Sequence, residues 1–106
     1  MDIDLERAAK VAALNDTFRG AASDVIITPG VRVLSRVIEL IKAIEQFNTF
    51  NEDNDPYGEH DFGTVYWFGE KVFWKIDYYD PELKYGRDPL DVECRRVLTV
   101  MLASEY

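Results

Sequence analysis

Phe62-Gly63-Thr64-Val65-Tyr66-Trp67-Phe68 and Lys71-Val72-Phe73-Trp74-Lys75-Ile76-Asp77-Tyr78-Tyr79, joined through Gly69-Glu70, decide the fold. Both runs are rich in β-branched and aromatic residues, whose side chains suit a pleated, half-buried surface. The glycine between them marks a turn, and either two-residue loop, Phe68-Gly69 or Gly69-Glu70, closes a hairpin. Both loops give the same parity. Gly63, Val65 and Trp67 share a face with Val72, Trp74 and Ile76, and this apolar face is expected to lie beneath helices. The other face carries Phe62, Thr64, Tyr66, Lys71, Phe73, Lys75, Asp77 and Tyr79, a wet but aromatic surface.

Upstream of the hairpin, residues 4–19 place Leu5, Ala8, Val11, Ala12, Leu14 and Phe18 at spacings of three and four, the stripe of an amphipathic helix. Gly20 and the Ala-Ala-Ser-Asp after it end that helix, and Val25-Ile26-Ile27 reads as a short buried strand. Thr28-Pro29-Gly30 then starts a second helix over residues 30–47, with Val33, Leu34, Val37, Ile38, Ile41 and Ile44 as its stripe. Residues 47–60 hold the Asn, Asp, Pro and Gly mixture of a loop. A second polar connection runs from Asp80-Pro81 to Asp88-Pro89. Beyond it a last helix is predicted from about Leu90, with Leu90, Cys94, Val97, Leu98, Met101 and Leu102 on one side. The order helix, strand, helix, strand, strand, helix predicts an α+β domain: a small three-stranded, mostly antiparallel sheet with helices packed on one face.

The 106 residues fit one domain, residues 1–106, and hydrophobic residues at 47% argue for a packed core rather than disorder. A single cysteine, Cys94, excludes an internal disulfide, and no basic leader or apolar run near eighteen residues is present. A soluble cytoplasmic protein without membrane contact is expected. Charge is focal. Residues 43–70 hold seven carboxylates and no Lys or Arg, while the rest of the chain sums to about −1 of the total −8. Twelve of the fourteen aromatics fall in residues 47–85, so acid and aromatic surface coincide. Such a surface repels phosphates and excludes direct nucleic-acid binding through a basic face.

Three blocks carry a resemblance: Asn54-Asp55-Pro56-Tyr57-Gly58-Glu59-His60-Asp61-Phe62-Gly63, then Val72-Phe73-Trp74-Lys75-Ile76-Asp77-Tyr78-Tyr79-Asp80, and finally Arg96-Val97-Leu98-Thr99-Val100-Met101-Leu102-Ala103-Ser104-Glu105-Tyr106. With these the chain, from about Ala12 to its C-terminus, resembles a family of small bacterial proteins known as the domain of unknown function 3768 family. The resemblance implies no established reaction, ligand or catalytic residue. Members occur on mobile elements beside antirestriction-type proteins, which implies a part in defence or counter-defence.

Each candidate residue also has a plainer role. His60, the only histidine, lies among Asp53, Asp55, Glu59 and Asp61, and such oxygen and nitrogen donors suit a cation. Asp53-Asn54-Asp55 begins like a calcium loop. However, Tyr57 stands at the fifth position and Thr64 where a bidentate Glu is needed, and no second His or paired Cys supports zinc. Cys94 on an apolar stripe reads as an inert thiol, and Ser23, Ser35 and Ser104 have no nucleophile motif around them. Glu59 with Asp77 could do acid–base work, but in a chain with twenty acidic residues some pair always looks suitable. The aromatic strip of Phe62, Tyr66, Phe73 and Tyr79 lacks the basic frame of a base-stacking face, having only Lys71 and Lys75 beside it.

No catalytic residue, metal ligand or cofactor is assigned from the sequence. The expected binding surface is Glu52, Asp53, Asp55, Tyr57, Glu59, His60, Asp61, Tyr66, Phe73, Asp77 and Tyr79. The expected function is that of a non-enzymatic module whose partner is a protein with a basic surface, such as a nucleic-acid-binding protein of a defence system inhibited by a DNA mimic. The alternative is a small metal-dependent or carboxylate-based enzyme built on Glu59-His60-Asp61.

Overall fold

The computed structural model describes residues 4–21 and 24–106. Its centre is the predicted hairpin. Strand β2 (Phe62–Trp67) pairs antiparallel with β3 (Glu70–Tyr79), with Val65 opposite Val72 and Gly63 opposite Trp74. The loop is Phe68-Gly69, and both residues take positive φ, 48° and 84°, as a turn matched to the twist of the strands requires. A side chain at position 63 would overlap the Trp74 indole, so glycine is needed there. Val72, Trp74 and Ile76 are buried, and Val65 and Trp67 pack against them, as the parity required.

The sheet has four strands rather than three, in the order β1-β4-β3-β2. Strand β1 (Val25–Ile27) lies parallel to β4 (Arg95–Leu102), and β4 runs antiparallel to β3. Strand β4 occupies the place of the predicted last helix, and the reason is its burial. Leu98 and Val100 lie in the core, while Val97 and Met101 on the opposite face are only 7% and 5% exposed. A strand covered on both sides has a nearly continuous apolar run, which hydrophobic spacing alone does not separate from a helix. The β-branched Val97, Thr99 and Val100 then favour the extended form.

Helix α1 (Leu5–Ala21) forms as expected, but its inner face is Ala8, Val11, Ala12, Asn15 and Arg19. Leu5 and Leu14 of the predicted stripe are exposed. Ala22 and Ser23, part of the break predicted after this helix, lie outside the described residues. The predicted second helix is two pieces, the single turn α2 (Pro29–Arg32) and α3 (Val37–Glu45), with Arg36 between them at φ 58°. Val31 and Leu40 both enter the core. Nine residues apart, they would face opposite sides of one continuous helix, so the chain must be re-aimed between them. Val33 and Ile38, expected on the apolar stripe, are left exposed.

Among the described residues the helices cover one face of the sheet, over a core of Val31, Leu40, Ile44, Val72, Trp74, Ile76, Leu98 and Val100. On the other face Tyr106 meets Phe62 and Phe73 edge-on, with ring centres 6.1 and 5.7 Å away. A short 3-10 turn, Ala103–Glu105, brings Glu105 against Thr28, whose hydroxyl donates to it at 2.6 Å, and the amides of Gly30 and Leu102 donate as well. These bonds, the Thr28 hydroxyl first, hold the Glu105 carboxyl below the usual glutamate range. No helix among the described residues is long and apolar enough to cross a membrane.

Candidate functional site

The segment 47–61 crosses from α3 to β2 and is anchored at both ends. Phe47 and Phe50 sit edge-on to Trp74, at 5.4 and 6.1 Å. Inside the segment, Asn51 Oδ1 accepts the amides of Asp53 and Asn54, while Asn54 returns bonds to the Asn51 amide and the Thr49 carbonyl. Short polar side chains thus fold the backbone locally, which is what Asn does best in turns. Glu52, Asp53 and Tyr57 remain exposed on the outside of this structure.

His60 closes the loop. Its backbone takes φ 57°, a left-handed conformation that costs a non-glycine residue on the order of 1 kcal/mol. The ring is held on three sides. It stacks on Phe50 at 3.8 Å with 4° between planes, Nδ1 contacts the Asp16 carboxylate at 3.0 and 3.1 Å, and Nε2 lies 3.6 Å from Asp55 Oδ2. Asp55 also accepts the His60 amide, and its side chain is only 7% exposed.

Beside His60 a chain of directed hydrogen bonds runs from a cation to a carboxylate. Arg96 Nε donates to Asn15 Oδ1 at 2.7 Å, Asn15 Nδ2 donates to the Tyr78 hydroxyl at 2.8 Å, and that hydroxyl donates to Asp61 Oδ2 at 3.1 Å. Asn15, fully buried, also donates to the Glu59 carbonyl. Every group in the chain points its dipole the same way, which strengthens each bond in a low-dielectric setting. Burial raises the Asp61 carboxyl above the usual aspartate range against the bond from Tyr78, and burial also raises the Tyr78 hydroxyl. Burial and then Asp61 raise Glu59. One turn along α1 from Asn15, the buried Arg19 donates to the carbonyls of Ile44 and Phe47 and to Asp16, and lies 4.8 Å over the Trp74 ring.

The eleven residues expected to form one surface divide. Glu52, Asp53 and Tyr57 face solvent on the loop. Asp55, His60 and Asp61 turn inward to the amide of His60, to Asp16 and to Tyr78, and Glu59 is half-buried beside them. Tyr66, Phe73, Asp77 and Tyr79 belong to the uncovered sheet face, where Asp77 pairs with Lys75 at 2.8 Å. Glu59, His60, Asp61 and Asp77 therefore do not converge in one pocket. Among the described residues no group of three or more His, Cys, Asp or Glu side chains is arranged to hold a metal ion.

Two hollows flank His60, and their described lining holds no Ser, Thr, Cys or Lys to act as a nucleophile. The larger, about 590 Å³, has Phe50, Tyr57 and His60 as aromatic walls with Glu52 and Asp55 at its side. Cys94 lies in the turn before β4 rather than on a helix. It is half-buried, and burial raises its thiol despite Arg96 nearby. Asn15, Asp16, Arg19, Phe50, Tyr78 and Arg96 were absent from the expected site. One signal was available: Asn15 and Arg19 continue the spacing of Ala8, Val11 and Ala12, so polar groups sit on a helix's inner face.

These features define a mixed-sheet α+β domain in which an acidic loop is latched to the first helix by an aspartate–histidine contact and a buried hydrogen-bond chain. The chain belongs to the family described as "Protein of unknown function (DUF3768)", which matches residues 27–105. The match starts later than the Ala12 region, so Asp55, His60, Tyr78 and Arg96 lie within it while Asn15, Asp16 and Arg19 precede it. Comparison with curated proteins and with solved structures gives no significant match.

Proposed function

We propose that the protein is a non-enzymatic binding module that offers its acidic loop to a basic surface on another protein. The observation that carries this reading is the fixed geometry of the loop: Glu52, Asp53 and Tyr57 are exposed on a backbone already ordered by Asn51, Asn54 and the His60 latch. An ordered loop loses little conformational freedom on binding, so its charges act at full strength. The 590 Å³ hollow beside it, with aromatic walls and carboxylates at its side, suits a Lys or Arg side chain, which is attracted both by the negative ring faces and by the charges. The partner in view is a cytoplasmic nucleic-acid-binding protein, of the kind found in bacterial defence systems, whose phosphate-binding groove these carboxylates occupy. DNA offers a charge about every 1.7 Å of axis over a long surface, so the loop imitates a short segment.

The test is capture from bacterial cytosol followed by titration of the recovered partner. Binding should weaken steeply with added salt, because screening shortens the reach of exposed charges. The double change Glu52→Gln with Asp53→Asn should weaken it further and leave the melting temperature nearly unchanged, since both side chains are exposed. Asp55→Asn is unsuitable as a surface probe, because this carboxylate is buried against His60. A complex indifferent to salt and to the double change would remove the charge-presentation reading.

A further inference from the structure

The outer edge of the sheet is unusual. Strand β2 ends the order β1-β4-β3-β2, and its six residues, Phe62–Trp67, include no charge and no proline. Soluble proteins ordinarily blunt such an edge with Lys, Pro, a bulge or a covering segment, because it is a template for another strand. The register identifies which groups are free. The Ile76 amide donates to the Asp61 carbonyl, so residues 61, 63, 65 and 67 are the ones that bond to β3. The amides and carbonyls of Phe62, Thr64 and Tyr66 therefore point away from the sheet, and none has a hydrogen-bond partner among the described residues.

We infer that two copies of this chain pair antiparallel through β2, about a two-fold axis at Thr64. An isologous contact must be complementary to itself, and this strand is. With Thr64 opposite Thr64 of the second copy, Phe62 meets Tyr66, and all three residues with outward groups fall in hydrogen-bonded positions. Phe62 and Tyr66 lie on the uncovered face, where aromatic cross-strand pairs stabilise a sheet, and Tyr66 is 73% exposed in the single chain. On the core side Gly63 faces Val65, the two smallest side chains of that face of the strand. The flanking carboxylates are staggered. Asp61 falls opposite Trp67, and Glu70 lies past the Phe68-Gly69 turn on β3, so no two carboxylates are directly opposed across the new pairing although each copy carries −8. The two four-stranded sheets become one of eight strands.

Analytical ultracentrifugation over a concentration series should find a monomer–dimer equilibrium that strengthens with added salt, because the net charges repel. That sign is opposite to the salt response of the acidic loop's complex, so the two contacts are separable. Thr64→Pro removes one outward amide without touching a bond to β3 and should abolish the dimer. If that variant fails to fold by circular dichroism, Tyr66→Lys places a charge at the aromatic pair and should abolish the dimer equally. Register is checked with Thr64→Cys in a Cys94→Ser background. Opposed residues in such a pair have Cα atoms about 5.5 Å apart, so a short bifunctional thiol reagent should give a covalent dimer. A protein that stays monomeric at every salt and concentration would overturn the proposal. So would a dimer that survives in folded Tyr66→Lys, or Thr64→Cys that does not cross-link.

Discussion

The two faces of the sheet are made by alternate residues of the same strands, yet they differ in kind. Trp74 and Ile76 face helices and are essentially dry, while their neighbours Phe73, Lys75 and Asp77 face solvent through a partial cover of aromatic rings and an ion pair. Burial is thus concentrated on one side of the β3 backbone. The uncovered side is not bare. Val97 and Met101 are buried there, beside a shallow groove of about 650 Å³ bordered by Tyr79, Leu83 and Tyr106. The covered side is not wholly apolar either, since it ends in the Asn15–Tyr78–Asp61 hydrogen bonds.

The sharpest way to break this contrast is to truncate one residue from each side. Trp74→Ala should cost about 3–5 kcal/mol, through lost burial and the cavity left among Phe47, Phe50 and Ile44. Phe73→Ala, one residue away but half-buried, should cost roughly 1–2 kcal/mol. Urea melts of both variants decide it, and equal losses would mean that the faces are not energetically distinct.

Next in size is the polar end of the covered face. Asn15→Ala leaves the Arg96 Nε, the Tyr78 hydroxyl and the Glu59 carbonyl each short of a partner in a buried place. The expected loss is about 2–3 kcal/mol, above that of an ordinary hydrogen bond because one of the orphaned groups is charged. Hydrogen exchange should find the loss shared between α1 and the loop, whose Glu59 carbonyl Asn15 holds. A loss confined to α1 would detach the loop from this network.

What could be read from the sequence follows the same division. The hairpin was legible because one face of each strand is dry and the other wet, which writes a period of two, and because Gly69 marks the turn. Strand β4 was not, since burial of Val97 and Met101 on one side and Leu98 and Val100 on the other erases that period. The break between α2 and α3 occurs at Arg36, with no glycine or proline to announce its left-handed backbone. The polar loop was legible as a cluster along the chain, but the direction its groups take was not. Glu59, His60 and Asp61 are adjacent, but the positive φ of His60 sends their groups to Asn15, Asp16 and Tyr78, partners that adjacency along the chain does not reveal.

The smallest effect expected is one of slope rather than midpoint, and it concerns Asp61, where the hydrogen-bond chain ends. Burial raises its carboxyl above the ordinary aspartate range. A carboxyl raised in the folded state binds protons more readily folded than unfolded, so it weakens the fold above its folded pKa. That penalty fades as pH falls through the folded value toward the unfolded one. Asp61→Asn, which keeps an acceptor for the Tyr78 hydroxyl, abolishes this dependence. Relative to the parent it should be at its best near neutral pH and lose ground steadily as the pH is lowered toward the ordinary aspartate value. Melting temperatures of the two proteins across that range give the difference directly. A difference that stays flat would mean that the Tyr78 bond cancels the burial, leaving the covered face as indifferent to pH as its apolar part.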